Sequence, residues 1–252
     1  MNIAFIGYGG MGRALANAAR GRGHEIVAII DHAAPEATAT SVGLGALKGA
    51  DIAIDFSNAD GVADSTKACI EVGIPLVVGT TGWYDRMDEI RSLVEKSPKV
   101  IGFLWSSNFS VGVHMYFRII KEAARLANNI EEYDVWGHEI HHAGKADSPS
   151  GTAKTLEKIL LDALDRKDSI VEEKLDRKLK DSEIHFSSVR GGRVNFGHTI
   201  GFDSAADRIL ITHEARSRDG YALGAVKAAE WLIGKTGFYD MNDYTQELFP
   251  DS

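Results

Sequence analysis

The sequence holds a single cysteine, Cys69, among 252 residues. No intrachain disulfide can form, which favours a reducing compartment. Cys69 sits between Ala68 and Ile70 and is expected to be a buried structural thiol. No apolar run approaches the roughly 20 residues of a membrane span. No basic, signal-like segment precedes the first apolar run, Ile3–Ile6, so a cytoplasmic protein is expected. Positive charge is also in deficit: the formal net charge is -8, which argues against a nucleic-acid partner. Internal repeats and low-complexity linkers are lacking. What remains, 44% hydrophobic and 25% charged residues, is ordinary for a globular chain able to bury one or two cores.

The first hundred residues alternate apolar runs with helical spacing. Ile3–Ile6, Ile26–Ile30, Ile52–Phe56, Leu76–Val78 and Val100–Trp105 are continuously apolar, as in parallel strands covered on both faces. Met11, Ala14, Leu15, Ala18 and Ala19 recur at helical spacing, and Gly21 and Gly23 stop that helix. Strands joined by crossover helices imply an α/β fold with a Rossmann-type, doubly wound parallel sheet. The pattern changes after Asn108. A helix is expected over Met115–Leu126 and a strand over Tyr133–Ile140. A helical stripe follows at Ala153, Leu156, Ile159, Leu160, Ala163 and Leu164. Ile184–Val189, His198–Phe202 and Arg208–His213 suggest strands of a more antiparallel style, giving a second α+β domain on a mixed sheet. Ala222–Ile233 is a final helix returning to the first domain. The expected division is 1–108 plus 216–252 for dinucleotide binding and 109–215 for substrate binding and oligomerisation. The charges of Asp165–Asp181 suggest a solvated helix end and loop.

Gly7-Tyr8-Gly9-Gly10-Met11-Gly12 fits G-x-G-x-x-G between a strand and a helix, and Asp31 ends the next strand. Gly7 permits the tight turn, Gly9 the approach of a pyrophosphate, and Gly12 close packing of helix on strand. The helix N-terminus offers free N–H groups and partial positive charge to phosphates. A carboxylate at Asp31 suits a ribose 2′-hydroxyl and repels a 2′-phosphate, so NADH is favoured over NADPH, with Arg13 and His32 close enough to soften that preference. Gly79-Thr80-Thr81-Gly82 and Ser106-Ser107-Asn108-Phe109 follow the fourth and fifth strands. They lie at the sheet edge where such ligands bind.

The richest segment is His138-Glu139-Ile140-His141-His142-Ala143-Gly144-Lys145-Ala146-Asp147-Ser148-Pro149-Ser150-Gly151-Thr152-Ala153. His138 to His142 formally matches H-E-x-x-H, but that zinc motif works only on a helix. Gly137 and Gly144 flank it and argue for a strand, so no metal is expected. A bland polar surface loop is a second possibility. A third is a site for a small dicarboxylate. Lys145 supplies a point charge. Ser150 caps a helix whose first N–H groups, at Gly151 and Thr152, hold a second carboxylate. One of the paired histidines exchanges a proton near neutral pH.

From Glu139 to Ala153 the chain closely resembles the signature of the 4-hydroxy-tetrahydrodipicolinate (dihydrodipicolinate) reductases. Gly79-Thr80-Thr81-Gly82, Ser107-Asn108-Phe109-Ser110-Val111-Gly112-Val113 and Gly237-Phe238-Tyr239-Asp240-Met241 also resemble that family, in the same order along nearly the whole chain. The resemblance implies a cytoplasmic reductase of the diaminopimelate route to lysine, using NADH or NADPH on a cyclic imine-like dicarboxylate with loss of water. It implies His141 as general acid/base, Lys145 as a second catalytic donor, and His142, Gly151 and Thr152 at the substrate with Ser150 beside them. It implies a homotetramer built through the second domain's sheet, and domain closure with hinges near Phe109 and Arg216–Arg218. His32 stands where some members carry arginine, which weakens any NADPH preference, and His138 has no assigned role. Another two-domain dehydrogenase, of the aspartate-dehydrogenase type, would share Gly7–Gly12 but not Lys145–Thr152. A short-chain dehydrogenase is disfavoured because no tyrosine has a lysine four residues on. A redox-sensing regulator would bind NADH without oxidising it.

Overall fold

The computed structural model describes residues 1–250. In chain order the elements begin with β1 (Asn2–Ile6), α1 (Gly10–Gly21), β2 (Glu25–Ile30), β3 (Ile52–Asp55), α2 (Val62–Val72), β4 (Leu76–Val78), α3 (Met87–Glu95) and β5 (Gly102–Trp105). Then come α4 (Val111–Asn128), β6 (Asp134–His141), α5 (Gly151–Ala163), β7 (Ser169–Val171), β8 (Glu183–Arg190), β9 (Phe196–Asp203) and β10 (Arg208–Ala215). The chain closes with α6 (Asp219–Leu232), β11 (Gly237–Asp240) and α7 (Met241–Leu248). Two compact units result, residues 1–111 with 218–250 and residues 112–217.

The first unit is a sheet in the order β11-β5-β4-β3-β1-β2, with every pair parallel. Its strands are apolar on both faces because both are covered. Phe5, Ile54 and Leu104 pack with α1 and α6, while Ala53, Val78 and Phe103 pack with Val62, Cys69 and Ile90. From β1 the chain steps to β2 on one side and then to β3, β4 and β5 on the other. The reversal opens a crevice at the carboxyl ends of β1 and β3, where ligands of such sheets bind. Two features depart from the sequence expectation. The connection from β2 to β3 contains no helix; turns and a bridge from Ile30 to Ala39 organise it. After the last apolar helix the chain adds β11, a sixth parallel strand whose alternation is too short to stand out.

The second unit has the order β10-β9-β6-β8-β7. β10 and β6 flank β9 in antiparallel pairs, whereas β6–β8 and β8–β7 are parallel. The sheet is therefore mixed, and less antiparallel than the short connections suggest. Helices α4 and α5 pack on one face through Tyr116, Ile120, Ala124, Leu156 and Leu160, against Val135, Phe186, Ile200 and Phe202. The charged stretch 165–181 is not wholly a solvated loop. It contains β7, and Lys167 is buried with its ammonium donating to Asp134 and to the carbonyls of Asp181 and Glu183. Such capture of backbone carbonyls is invisible to charge patterning.

Candidate active site

Strand β6 alternates between faces, with Val135, Gly137, Glu139 and His141 buried. Period-two geometry therefore sends Glu139 and His141 to the covered side and His138 to the other. The end histidines of the H-E-x-x-H match cannot share a helical face. Sheet pairing completes the cluster: Glu139 stands opposite His198 on β9 and Ser188 on β8, and His141 stands opposite Phe196 and Arg190.

Glu139 is fully buried and saturated with donors. Its Oε1 accepts from Ser150 N–H at 3.1 Å, Ser188 Oγ at 2.9 Å and Arg190 Nη2 at 2.7 Å. Its Oε2 lies 3.2 Å from the Nε2 atoms of both His141 and His198. These donors, led by the hydrogen bond to His198, outweigh desolvation and hold the carboxyl well below the usual carboxylate range. His141 lies beside Phe196 (centroids 5.8 Å apart, planes 23°) and edge-on to His198 (5.4 Å, 81°). Burial pushes the His141 imidazole down to about 4, against the pull of Glu139. This corrects the near-neutral proton exchange expected from the sequence: without a ligand the ring is neutral at pH 7, because desolvation outweighs one carboxylate.

Ser150 caps α5 with its Oγ accepting from Ala153 N–H at 3.2 Å, and the same oxygen lies 3.2 Å from His198 Nε2. Its side chain and N–H are thus committed inside the protein, whereas Gly151 and Thr152 open the helix with N–H groups that helix geometry leaves unpaired. Lys145 Nζ pairs with Asp147 Oδ1 at 2.7 Å, a contact open to solvent on the aspartate side. Backbone bonds from Ala143 N–H to Gly192 and from Gly191 N–H to His141 tie the lysine-bearing loop to the turn after β8. His142 lies just past the end of β6, half-buried. Glu139, His141 and His198 also form a ligand-capable trio. Arg190 already neutralises that carboxylate, and both Nε2 atoms sit at hydrogen-bond distance from it.

In the first unit, Gly7 has φ +87°, and a Cβ there would lie 2.4 Å from Phe56 O. A Cβ on Gly12 would lie 2.5 Å from Gly7 O, while around Gly9 nothing lies within 4 Å. Helix α1 starts after Gly9 with no side-chain cap and no acidic residue in its first turn, at Gly10, Met11 and Gly12. An open cradle backed by unpaired N–H groups fits a pyrophosphate. Asp31 accepts from Tyr8 N–H on one oxygen at 2.7 Å and from Ala33 and Ala34 N–H on the other at 2.8 and 2.9 Å. Those bonds hold its carboxyl below its ordinary value. Thr80, Ser106 and Phe109 are buried. The Thr80 hydroxyl donates to Asp55, Ser106 Oγ to Asn108 O, and the Phe109 carbonyl sits where a Cβ on Gly224 would be. These bonds, with that from Ser110 N–H to Asn108 Oδ1, hold the two loops in shape.

Residues 1–109 match the family described as Dihydrodipicolinate reductase, N-terminus, and residues 112–244 match Dihydrodipicolinate reductase, C-terminus. The chain belongs to the dihydrodipicolinate reductase family. It is thereby an NAD(P)-dependent oxidoreductase of diaminopimelate and lysine biosynthesis. It is 38% identical to the 4-hydroxy-tetrahydrodipicolinate reductase of Christiangramia forsetii over 249 residues, 99% of each chain. It is 35% identical to that of Staphylococcus epidermidis, over 96% of this chain and 100% of the relative. Among solved structures, a dipicolinate-bound dihydrodipicolinate reductase from Paenisporosarcina sp. TG-14 shares the fold, with TM-score 0.75 and 22% identity over 96% of this chain and 98% of that one.

Sequence reasoning missed Glu139, Ser188, Arg190 and His198 as parts of the site. Glu139 was present in the motif, but its partners lie on β8 and β9. Only the strand register of the sheet brings them together.

Proposed function

We propose that His141 is the general acid in the reduction of 4-hydroxy-tetrahydrodipicolinate, with Lys145 as a second donor and with Lys145, His142, Gly151 and Thr152 fixing the substrate carboxylates. The observation that supports this most is the link through Glu139. One carboxylate oxygen faces His141 and the other takes the N–H of Ser150, so the proton-bearing ring and the start of α5 are held on one rigid group.

The pyrophosphate of the nucleotide would be held by Gly7, Gly9, Gly10, Met11 and Gly12, with Tyr8 and Asp31 toward the ribose. Gly79, Thr80, Thr81, Ser106, Ser107, Asn108 and Phe109 would form the loops nearer the nicotinamide. NAD(P)H supplies a hydride when bound; NADH is the preferred donor because Asp31 is ionised. In the second unit Lys145 leaves Asp147 for one substrate carboxylate, and the α5 N–H groups take the other. Two added negative charges raise the His141 imidazole from its low value in the free site, so the ring takes up a proton as the dianion binds. The substrate first gives up its 4-hydroxyl with a proton from the neighbouring carbon as water, and in the conjugated imine that results His141 delivers its proton to the carbon beside the one that receives the hydride. We further propose a cytoplasmic homotetramer joined through the second unit's sheet, acting without a metal. Undiminished turnover in EDTA would support the last point.

The decisive assay generates the substrate in situ from pyruvate and aspartate semialdehyde with the preceding synthase and follows NADH or NADPH. His141→Gln is expected to lower turnover by about 100-fold or more while leaving NADH affinity within a factor of about two. Unchanged turnover would remove His141 from the mechanism. The ratio of kcat/KM for the two nucleotides tests the preference for NADH.

A further inference from the structure

We infer that Glu139 and His198 are positioning residues for the proton step: Glu139 Oε2, shared between two imidazole Nε2 atoms, fixes the tautomer of His141 and leaves Nδ1 as the atom that carries the transferred proton. This rests on His141 being the general acid.

The geometry carries the assignment. The opposite oxygen of Glu139 receives three donors, one of them the Arg190 guanidinium, so the carboxyl is ionised and can only accept. Each Nε2 at 3.2 Å from Oε2 must then bear its hydrogen, since a lone pair turned toward a carboxylate oxygen would be repelled. For His198 the consequence is consistent: its buried Nδ1 has no partner among the described residues. A bare acceptor is left there instead of an unpaired N–H. For His141 the consequence is chemical. With Nε2–H committed to Glu139, proton exchange falls to Nδ1.

His198 adds the second restraint. It is itself buried, pinned between Glu139 Oε2 and Ser150 Oγ, and its ring meets His141 edge-on. With Phe196 on its other side, His141 has little room to turn about χ2. Glu139 thus stabilises the imidazolium once formed and holds the ring that carries it, as a carboxylate behind a catalytic histidine does in hydrolytic triads. Arg190, by neutralising the carboxylate, limits that stabilisation and keeps the proton transferable.

The test uses the full-length enzyme. Nitrogen-15 NMR of histidine-labelled protein at pH 7.5 should show His141 with a protonated Nε2 and a bare Nδ1; the reverse tautomer would overturn the atom assignment. Glu139→Gln should lower kcat by about 10- to 100-fold with little change in the NADH KM. Because the lost charge destabilises the imidazolium, the alkaline limb of the kcat–pH profile should move to lower pH. Glu139→Asp, which keeps the charge, should restore the limb toward its original position. His198→Gln should lower kcat less and broaden the His141 resonances. If Glu139→Gln is poorly folded, the tautomer measurement on the wild-type enzyme still decides. If His141→Gln loses turnover but Glu139→Gln keeps both kcat and pH profile, positioning by Glu139 is refuted while the role of His141 stands. If His141→Gln is fully active, both fall.

Discussion

Replacing Arg190 by Met removes the one full positive charge that touches Glu139 while keeping a stem of similar length. In the native protein Arg190 Nη2 reaches Glu139 Oε1 and the carbonyl of Asp147, each at 2.7 Å, with 18% of the arginine side chain and none of the glutamate exposed. Four donors remain on the carboxylate, all uncharged while the imidazoles are neutral. Breaking a buried pair by deleting one partner costs about 3–5 kcal/mol, because the other charge is left uncompensated. With a urea m-value of about 2 kcal/mol/M, the midpoint of the second unit should fall by roughly 1.5–2.5 M. Amide exchange in β6 follows that unit by itself. The sign with pH is fixed by the direction of the Glu139 shift. Its folded-state value is depressed, so the native protein gains stability from it above the ordinary carboxylate range and loses that gain as pH falls below it. In Arg190→Met the carboxyl loses one of the donors that hold it down, so it protonates at a higher pH than in the native protein and protonation relieves the uncompensated charge. The difference between the two proteins should therefore be largest at pH 7–8 and shrink toward pH 4. Adding Glu139→Gln should recover part of the loss. A midpoint shift under about 0.5 M, or one independent of pH, would refute the compensation of Glu139 by Arg190.

Gly12→Ala places a Cβ 2.5 Å from Gly7 O, which is backbone and cannot rotate away. The phosphate turn must open at a cost of about 1–3 kcal/mol, weakening NADH binding roughly 5- to 150-fold in a fluorescence titration; native affinity would show that α1 can retreat. Asp31→Ser removes the carboxylate that would repel a 2′-phosphate. The NADH to NADPH ratio of kcat/KM should fall about tenfold or more, and an unchanged ratio would place nucleotide choice elsewhere. Glu157, buried near Glu172 and Lys154, is pushed up to about 7 first by burial and then by Glu172. Its raised value means that stability is lost as pH rises through 7. Glu157→Gln should flatten the fall in thermal midpoint between about pH 5 and 7, and an identical slope would count against a buried neutral acid.

The nucleotide sheet was legible because parallel strands covered on both faces are apolar without interruption, and because Gly7 and Gly12 occur where side chains would strike backbone. The cap at Ser150 was equally legible, since the residue type and its place before a helical stripe follow from local chemistry. What stayed hidden is non-local. Nothing near Arg190 in sequence indicates Glu139, and His198 lies on a strand whose register is set by the whole sheet. The β2–β3 connection misled because strands in parallel sheets are usually joined by helices, while this one is closed by a bridge at Ala39. The His141 pKa misled because an imidazole ordinarily titrates near neutral pH, and burial lowers this one.

The alternation of β6 has a consequence for how this chain tolerates change. Glu139 and His141 share a face only because one residue separates them, and both meet partners on two neighbouring strands at once. Inserting or deleting one residue between Val135 and Glu139 would rotate every later side chain of the strand by half a turn. It would drive His138 and Ile140 into the buried side and expel the carboxylate and the imidazole together, without altering a single chemical group. A length change should therefore be better tolerated in the helix-free β2–β3 connection, where no sheet register depends on it. The central strand of the second sheet acts as a ruler whose spacing must be kept for the chemistry to survive.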